Sequence, residues 1–206
     1  MTSFLNGKLN NKGRILYVLA AILLGISLYF PWWTMVLEAP QYRGDRALTL
    51  SVYAHKLDGN IDILNTLNRY IGMMQIDEAS FPELQVIPWF VGALIFLSIL
   101  TALVRRNSLA LATFAAFCIS GAIGFSRMLH WLHTFGTDLD PRAAFRIEPF
   151  VPPIIGTHQL ANFTTFSNFG LGAYLLGVVA LLMIVALWRC RQCDGKSSSS
   201  VFRSSS

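Results

Sequence analysis

Four blocks of 19 or 20 residues, Ile15–Trp33, Val86–Val104, Ser108–Ser126 and Phe169–Trp188, contain no Asp, Glu, Lys, Arg or His. A helix rises about 1.5 Å per residue, so each block is long enough for the ~30 Å hydrocarbon layer of a bilayer. One charge at the centre of such a helix costs roughly 3 kcal/mol on insertion scales, which makes clean blocks of this length a strong constraint. The expected fold class is a membrane all-α four-helix bundle with a small α+β extracytoplasmic cap. Helices are expected at about 15–33, 81–104, 108–133 and 169–188, inside a membrane domain of residues 15–188. Composition agrees: 54% of the 206 residues are hydrophobic and only 13% are charged, where soluble domains carry about a quarter charged. A cleaved signal peptide is the rival reading of the first block, but "LYFPWWTMV" offers no small-x-small cleavage site.

The charges orient the helices. Lys8, Lys12, Arg14, Arg105, Arg106, Arg189, Arg191, Lys196 and Arg203 flank the blocks on one side with a single acid, Asp194. The remaining segments hold seven basic and ten acidic residues. The positive-inside rule then places residues 1–14, the Arg105-Arg106 turn and residues 189–206 in the cytoplasm, and segments 34–80 and 134–168 outside. The basic balance thus reports topology, and no nucleic acid is implied as a partner. Trp32, Trp33, Trp89 and Trp131 fall at the outer boundary, where an aromatic belt is expected.

Pro31 is expected to end the first helix. Leu48, Leu50, Val52 and Ala54 alternate with polar residues and predict a strand. "LDGN" predicts a turn, with Asn60 as N-cap of a helix whose apolar face is Ile61, Leu64, Leu67 and Ile71, closed by Gly72. Ser80 and Glu83 have capping-box spacing at the start of the second block. Asn107 is expected to cap the third, which continues through "GFSRMLHWLHTF" past the bilayer. Residues 136–167, rich in proline, predict an extended ordered loop. The tail "KSSSSVFRSSS" is low in complexity and is expected to be disordered.

Between the ends of the blocks, the small polar side chains that interrupt the apolar run are Ser27, Ser98, Thr101, Thr113, Cys118 and Ser120. Ion and proton carriers place ionisable groups at membrane depth, and a membrane haem needs a ligand there, so neither class fits. All four histidines, His55, His130, His133 and His158, lie outside, as do Met35, Met73, Met74 and Met128. Thioether and imidazole together suit Cu(I). The candidate metal residues are Met73, Met74, His130, His133 and His158, the two helix histidines being one turn apart with Arg127 on the same side. The competing readings are a packed turn for "YIGMM" and snorkelling polar groups at a helix end for "MLHWLH". Cys190 and Cys193 form a lone CxxC without the further ligands a zinc site requires. Asn162-Phe-Thr164 is a glycosylation sequon of consequence only in a eukaryotic secretory pathway. No nucleophile–base pair, phosphate loop or paired carboxylates stand out, so no enzymatic activity is expected. Asp138 and Asp140 before Pro141 are ordinary turn chemistry.

Several strings occur together: "APQYRGDRALTLSVYAHKLDGNIDILNTLNRYIGM", "FPEL", "GTDLDPRAAF" and "PPIIGTHQLANFT" followed by "GLGAYL". In order and spacing over most of residues 30–175, the chain resembles an uncharacterised family of small four-helix bacterial membrane proteins found near nitrous-oxide reductase maturation and copper-handling genes. The family pattern has histidine before "YIGM" and after the glycine of "GTDLDP", where this chain has Arg69 and Thr137. The resemblance implies a multi-pass protein of the bacterial inner membrane, both termini cytoplasmic. It also implies an accessory role in assembly or copper supply of a respiratory or other copper-dependent enzyme, with a membrane or periplasmic protein as partner. The alternative is a structural subunit or scaffold that binds no metal.

Overall fold

A computed structural model describes residues 7–39, 41–42, 44–144, 148–160 and 163–203. It contains five helices: α1 (Asn11–Ser27), α2 (Ile61–Ile71), α3 (Glu83–Val104), α4 (Asn107–Thr137) and α5 (Leu171–Arg203). Five strands accompany them: β1 (Trp33–Glu38), β2 (Leu48–Val52), β3 (Leu57–Gly59), β4 (Gly156–Leu160) and β5 (Phe163–Phe169). The four-helix membrane bundle expected from sequence is therefore wrong. Among the described residues three helices are long and apolar enough to cross a membrane: Glu83–Val104, Asn107–Thr137 and Leu171–Cys190.

The first apolar block is not among them because it is divided between two structures, which leaves its helix short of that length. α1 has 17 residues, a length of about 25 Å, and its first turns carry Lys12 and Arg14. The rest of the block turns into a sheet. Trp32 N–H donates to Val52 O at 2.8 Å, and Trp32 O accepts from Gly170 N at 3.0 Å. Trp33 begins β1 and is only 6% exposed, with its indole N–H donating to Ile154 O at 2.8 Å. Its apolar character serves a protein core, so it does not belong to an interfacial belt.

The sheet is fully antiparallel with strand order β3-β2-β1-β5-β4. Trp33 lies opposite Val52 and Phe169, Met35 opposite Leu50 and Ser167, and Leu37 opposite Leu48 and Thr165. Alternation of side chains makes these one face, and it packs into a core with Leu57, Leu64, Ile76, Leu84, Phe81, Met128, Leu132 and Phe135. The other face carries Thr34, Val36, Thr49, Ser51, Phe166 and Asn168, the residues between them in the same register.

Three local expectations change. Gly156–Leu160 and Phe163–Phe169, expected as extended ordered loop up to residue 167 and as the start of a helix at Phe169, pair as the strands β4 and β5; Asn162 of the sequon lies outside the described residues. Asn60 does not cap α2 with its side chain. Its Oδ1 accepts instead from Thr49 N–H at 3.0 Å, which fastens the β3–α2 corner to β2. The backbone of the tail expected to be disordered is helical through Arg203.

The chain forms two compact units: Met1–Ser27, Trp89–Gly121 and Leu175–Ser206 in one, Leu28–Pro88 and Ala122–Tyr174 in the other. In the first, buried polar groups tie the helices together. Tyr17 O–H donates to Ala110 O at 2.7 Å, and the hydroxyls of Thr101 and Thr113 bond at 2.8 Å. The α3–α4 turn, with Arg105 at φ 58°, is stitched to the N-terminal segment by Leu9 N–H to Arg105 O at 2.7 Å and Asn107 N–H to Gly7 O at 3.1 Å.

Candidate functional site

The "NTLNRYIGMMQID" stretch, Asn65 to Asp77, is a helix end followed by a fastened strand-like return. Leu64 and Asn68 are the buried residues of α2. Gly72 then takes φ 77° and its N–H returns to Asn68 O, a left-handed C-cap. Met73 N–H also donates to Asn68 O, at 2.9 Å, and the Asn68 side-chain amide donates to Met74 O at 3.2 Å. Asn65 completes the clamp through both its amide nitrogen and its oxygen on Ile76. Met73 and Met74 are therefore half-buried side chains on a backbone held at several points.

Gly72 also joins this return to the second external segment. Asp140 N–H donates to Gly72 O at 2.8 Å, and a Cβ at Gly72 would come within 2.8 Å of Asp140 O and Ala143 Cβ. Asp140 is a turn residue, its carboxylate accepting from Arg142 N–H at 2.8 Å and its carbonyl from Ala143 N–H at 3.1 Å. "YIGM" and "GTDLDP", far apart in sequence, are thus bonded neighbours. One turn earlier, Phe150 N–H donates to Gly136 O at 3.0 Å, and Phe150 O occupies the place a Cβ at Gly136 would need.

The histidines have separate surroundings. His130 is exposed and meets Trp131 edge-on at 6.1 Å between ring centroids. His133 is exposed too; its Nδ1 lies 3.3 Å from Thr137 Oγ1, which also donates to His133 O at 2.8 Å. His158 sits on edge strand β4 opposite Thr165, its ring stacked on Phe150 at 5.5 Å and 13°. Its Nδ1 is buried and unbonded among the described residues, as is the hydroxyl of Ser167 two residues along the neighbouring strand. Among the described residues no three His, Cys, Asp or Glu side chains gather closely enough to hold a metal. A metal site drawn from these five candidates would therefore depend on the methionine sulfurs.

Two features of this region join residues far apart in the sequence. Glu83, expected in a capping box, forms an ion pair with Arg127, with Arg127 Nε donating to Oε1 at 2.7 Å. Beside the pair, Phe81, Trp131 and Phe135 form an aromatic cluster with centroid separations of 4.7, 5.7 and 6.0 Å. Arg127 lies 44 residues after Glu83, and Phe81 is likewise distant in sequence from Trp131 and Phe135, so neither link has a local signature. Asn68 was legible in principle: it stands four residues after Leu64, on the stripe that faces the core.

No protein-family model matches the chain, and no curated protein matches it. Its own geometry is what bears on function.

Proposed function

We propose that the chain is a non-enzymatic accessory protein of a bacterial cytoplasmic membrane, which presents its sheet-bearing unit to a partner protein on the outer side. The observation that carries this reading is the asymmetry of the sheet. One face is closed by the hydrophobic core, while the opposite face keeps Thr49 and Asn168 exposed and Phe166 42% exposed. An aromatic side chain among hydrogen-bonding groups is the composition of a protein contact surface. A copper-supplying form of the same role, with Cu(I) on Met73, Met74 and the histidines, draws support from the donor types.

The orientation follows from charge. Lys8 bridges to Arg106 in the backbone, and Leu9 bonds to Arg105, so the basic N-terminal segment and the Arg-Arg turn share one end of their unit. We place that end in the cytoplasm, and residues 34–80 and 134–168, which carry nine of the eleven acidic side chains, outside.

A photo-crosslinking residue at Phe166, in native membranes, is expected to capture a protein, whereas one at Ile119 on apolar α4 captures lipid. Lipid adducts alone from both positions would reject the docking reading. Sidedness is read with an impermeant thiol reagent on intact cells, in a background with the native cysteines replaced. Asp138→Cys should react and Ser108→Cys should not; the reverse pattern inverts the topology.

A further inference from the structure

We infer that the cavity between the first turns of α1 and the Arg189 end of the apolar stretch of α5 is a binding site for an anionic phospholipid. The cavity has a volume of about 240 Å³ and is lined by Lys12, Ile15, Leu16, Val185 and Arg189. Lys12, Ile15 and Leu16 lie three and four residues apart, and Val185 and Arg189 four apart, so each helix contributes one face to it. Each face carries one cation, followed within a turn by aliphatic side chains.

The two cations lie at the same end of the cavity. α1 enters with its cation first, and α5 leaves with its cation last. A Cβ on Gly13 would lie 3.8 Å from Cys190 Sγ, which sets the two helices side by side in that sense. The result is a dipolar pocket, cationic at one end and aliphatic at the other. Among the described residues Lys12 and Arg189 form no ion pair and no acid lines the cavity. Lys8, Arg14, Arg105 and Arg106 belong to the same unit, and the first, third and fourth are linked to one another through the N-terminal segment. Their summed field favours an anion.

The aliphatic part decides in favour of a lipid over a free anion. Ile15 is 58% and Val185 37% exposed, a surface that an acyl chain covers and inorganic phosphate does not. The stretch Leu171–Cys190 is long and apolar enough to cross a membrane, and Arg189 stands at its end. The cavity therefore opens at the depth of the headgroups, where basic pockets between helices take anionic lipid. This holds whichever side of the membrane that end occupies, and it is independent of the docking role.

The test uses the full-length protein, delipidated in neutral detergent and titrated with phosphatidylglycerol, phosphatidylcholine or inorganic phosphate, with bound lipid read by native mass spectrometry. Phosphatidylglycerol should bind in preference to phosphatidylcholine, and millimolar phosphate should not displace it. Lys12→Gln and Arg189→Gln should each weaken phosphatidylglycerol binding roughly 5-fold and together about 25-fold. Lys8→Gln, outside the cavity, should change it less than twofold. The conservative pair Lys12→Arg and Arg189→Lys should retain binding, which separates loss of charge from loss of fold. Equal affinity for the two lipids, full displacement by phosphate, an unaffected double variant, or an equal loss in Lys8→Gln would each overturn the assignment.

Discussion

Asn65 exchanges two hydrogen bonds with the backbone of Ile76, its Nδ2 donating to Ile76 O at 2.9 Å and its Oδ1 accepting from Ile76 N–H at 2.6 Å. A side-chain amide here does what a neighbouring strand would do. It holds the return after Gly72 against α2, so Ile76, 8% exposed, can join the core under the sheet. Asn65→Ala leaves both backbone groups of a partly buried residue unpaired, at a cost of about 2 kcal/mol. Asn65→Asp keeps the acceptor but turns a carboxylate oxygen toward Ile76 O, so it should cost at least as much. Denaturant unfolding in micelles measures both, and faster hydrogen exchange at the Ile76 amide locates the damage.

Gly72 meets two demands at once: φ of 77° and close approach by Asp140 O. The left-handed conformation alone costs a non-glycine residue roughly 1–2 kcal/mol. Gly72→Ala also drives a methyl into a backbone oxygen, so a loss of about 3 kcal/mol is expected by adding repacking strain. Limited proteolysis should show new cutting around Asp140 and Pro141, because their hold on the helix end is released. Unchanged stability and unchanged cutting would remove the link between the two external segments.

The Glu83–Arg127 pair joins the first turn of α3 to α4, with its side chains 23% and 45% exposed. At that exposure solvent screens much of the attraction, and a double-mutant cycle of Glu83→Gln and Arg127→Gln should give a coupling of about 0.5–1 kcal/mol. Raised salt should shrink the coupling. A coupling that salt leaves untouched would point to the neighbouring aromatic cluster as the true connection.

The copper form of the accessory role is decided by Cu(I) titration of the purified protein against a competing chelator. If Cu(I) is held tightly, Met73→Leu and His130→Ala should each weaken it at least tenfold, since a soft site of few donors loses a large share of its bonding with each. If Cu(I) is held only weakly and both variants behave as the parent does, the docking role stands without metal.

Tyr17 is fully buried and its hydroxyl is 2.7 Å from Ala110 O. Tyr17→Phe should destabilise the helical unit by about 1 kcal/mol, the net worth of such a bond. Hydrogen exchange at the Asn107–Ala110 turn should not change if the helix contacts persist.

Some of this protein was legible locally. The second and third apolar blocks became α3 and α4 because a run of about twenty uncharged residues satisfies its own backbone as a helix. The stripe of Ile61, Leu64 and Leu67, with Gly72 after it, specified α2 and its end. The DLDP turn was written in its aspartates. Each is a matter of residues within one or two turns of each other.

What only the tertiary structure decided was the destination of apolar segments that any single window reads alike. Leu28–Trp33 looks like the end of a membrane helix, yet Trp33 pairs with Val52 on one side and with Phe169, far along the chain, on the other. Residues 156–169 look like loop until Leu37 and Met35 supply the partners for Thr165 and Ser167. Strand pairing is settled by a neighbour that sequence proximity does not name, and burial in protein or in lipid draws on the same apolar side chains. The helices were therefore fixed by length and period, whereas the sheet, and with it the number of helices left to cross a membrane, was fixed by contacts between distant residues.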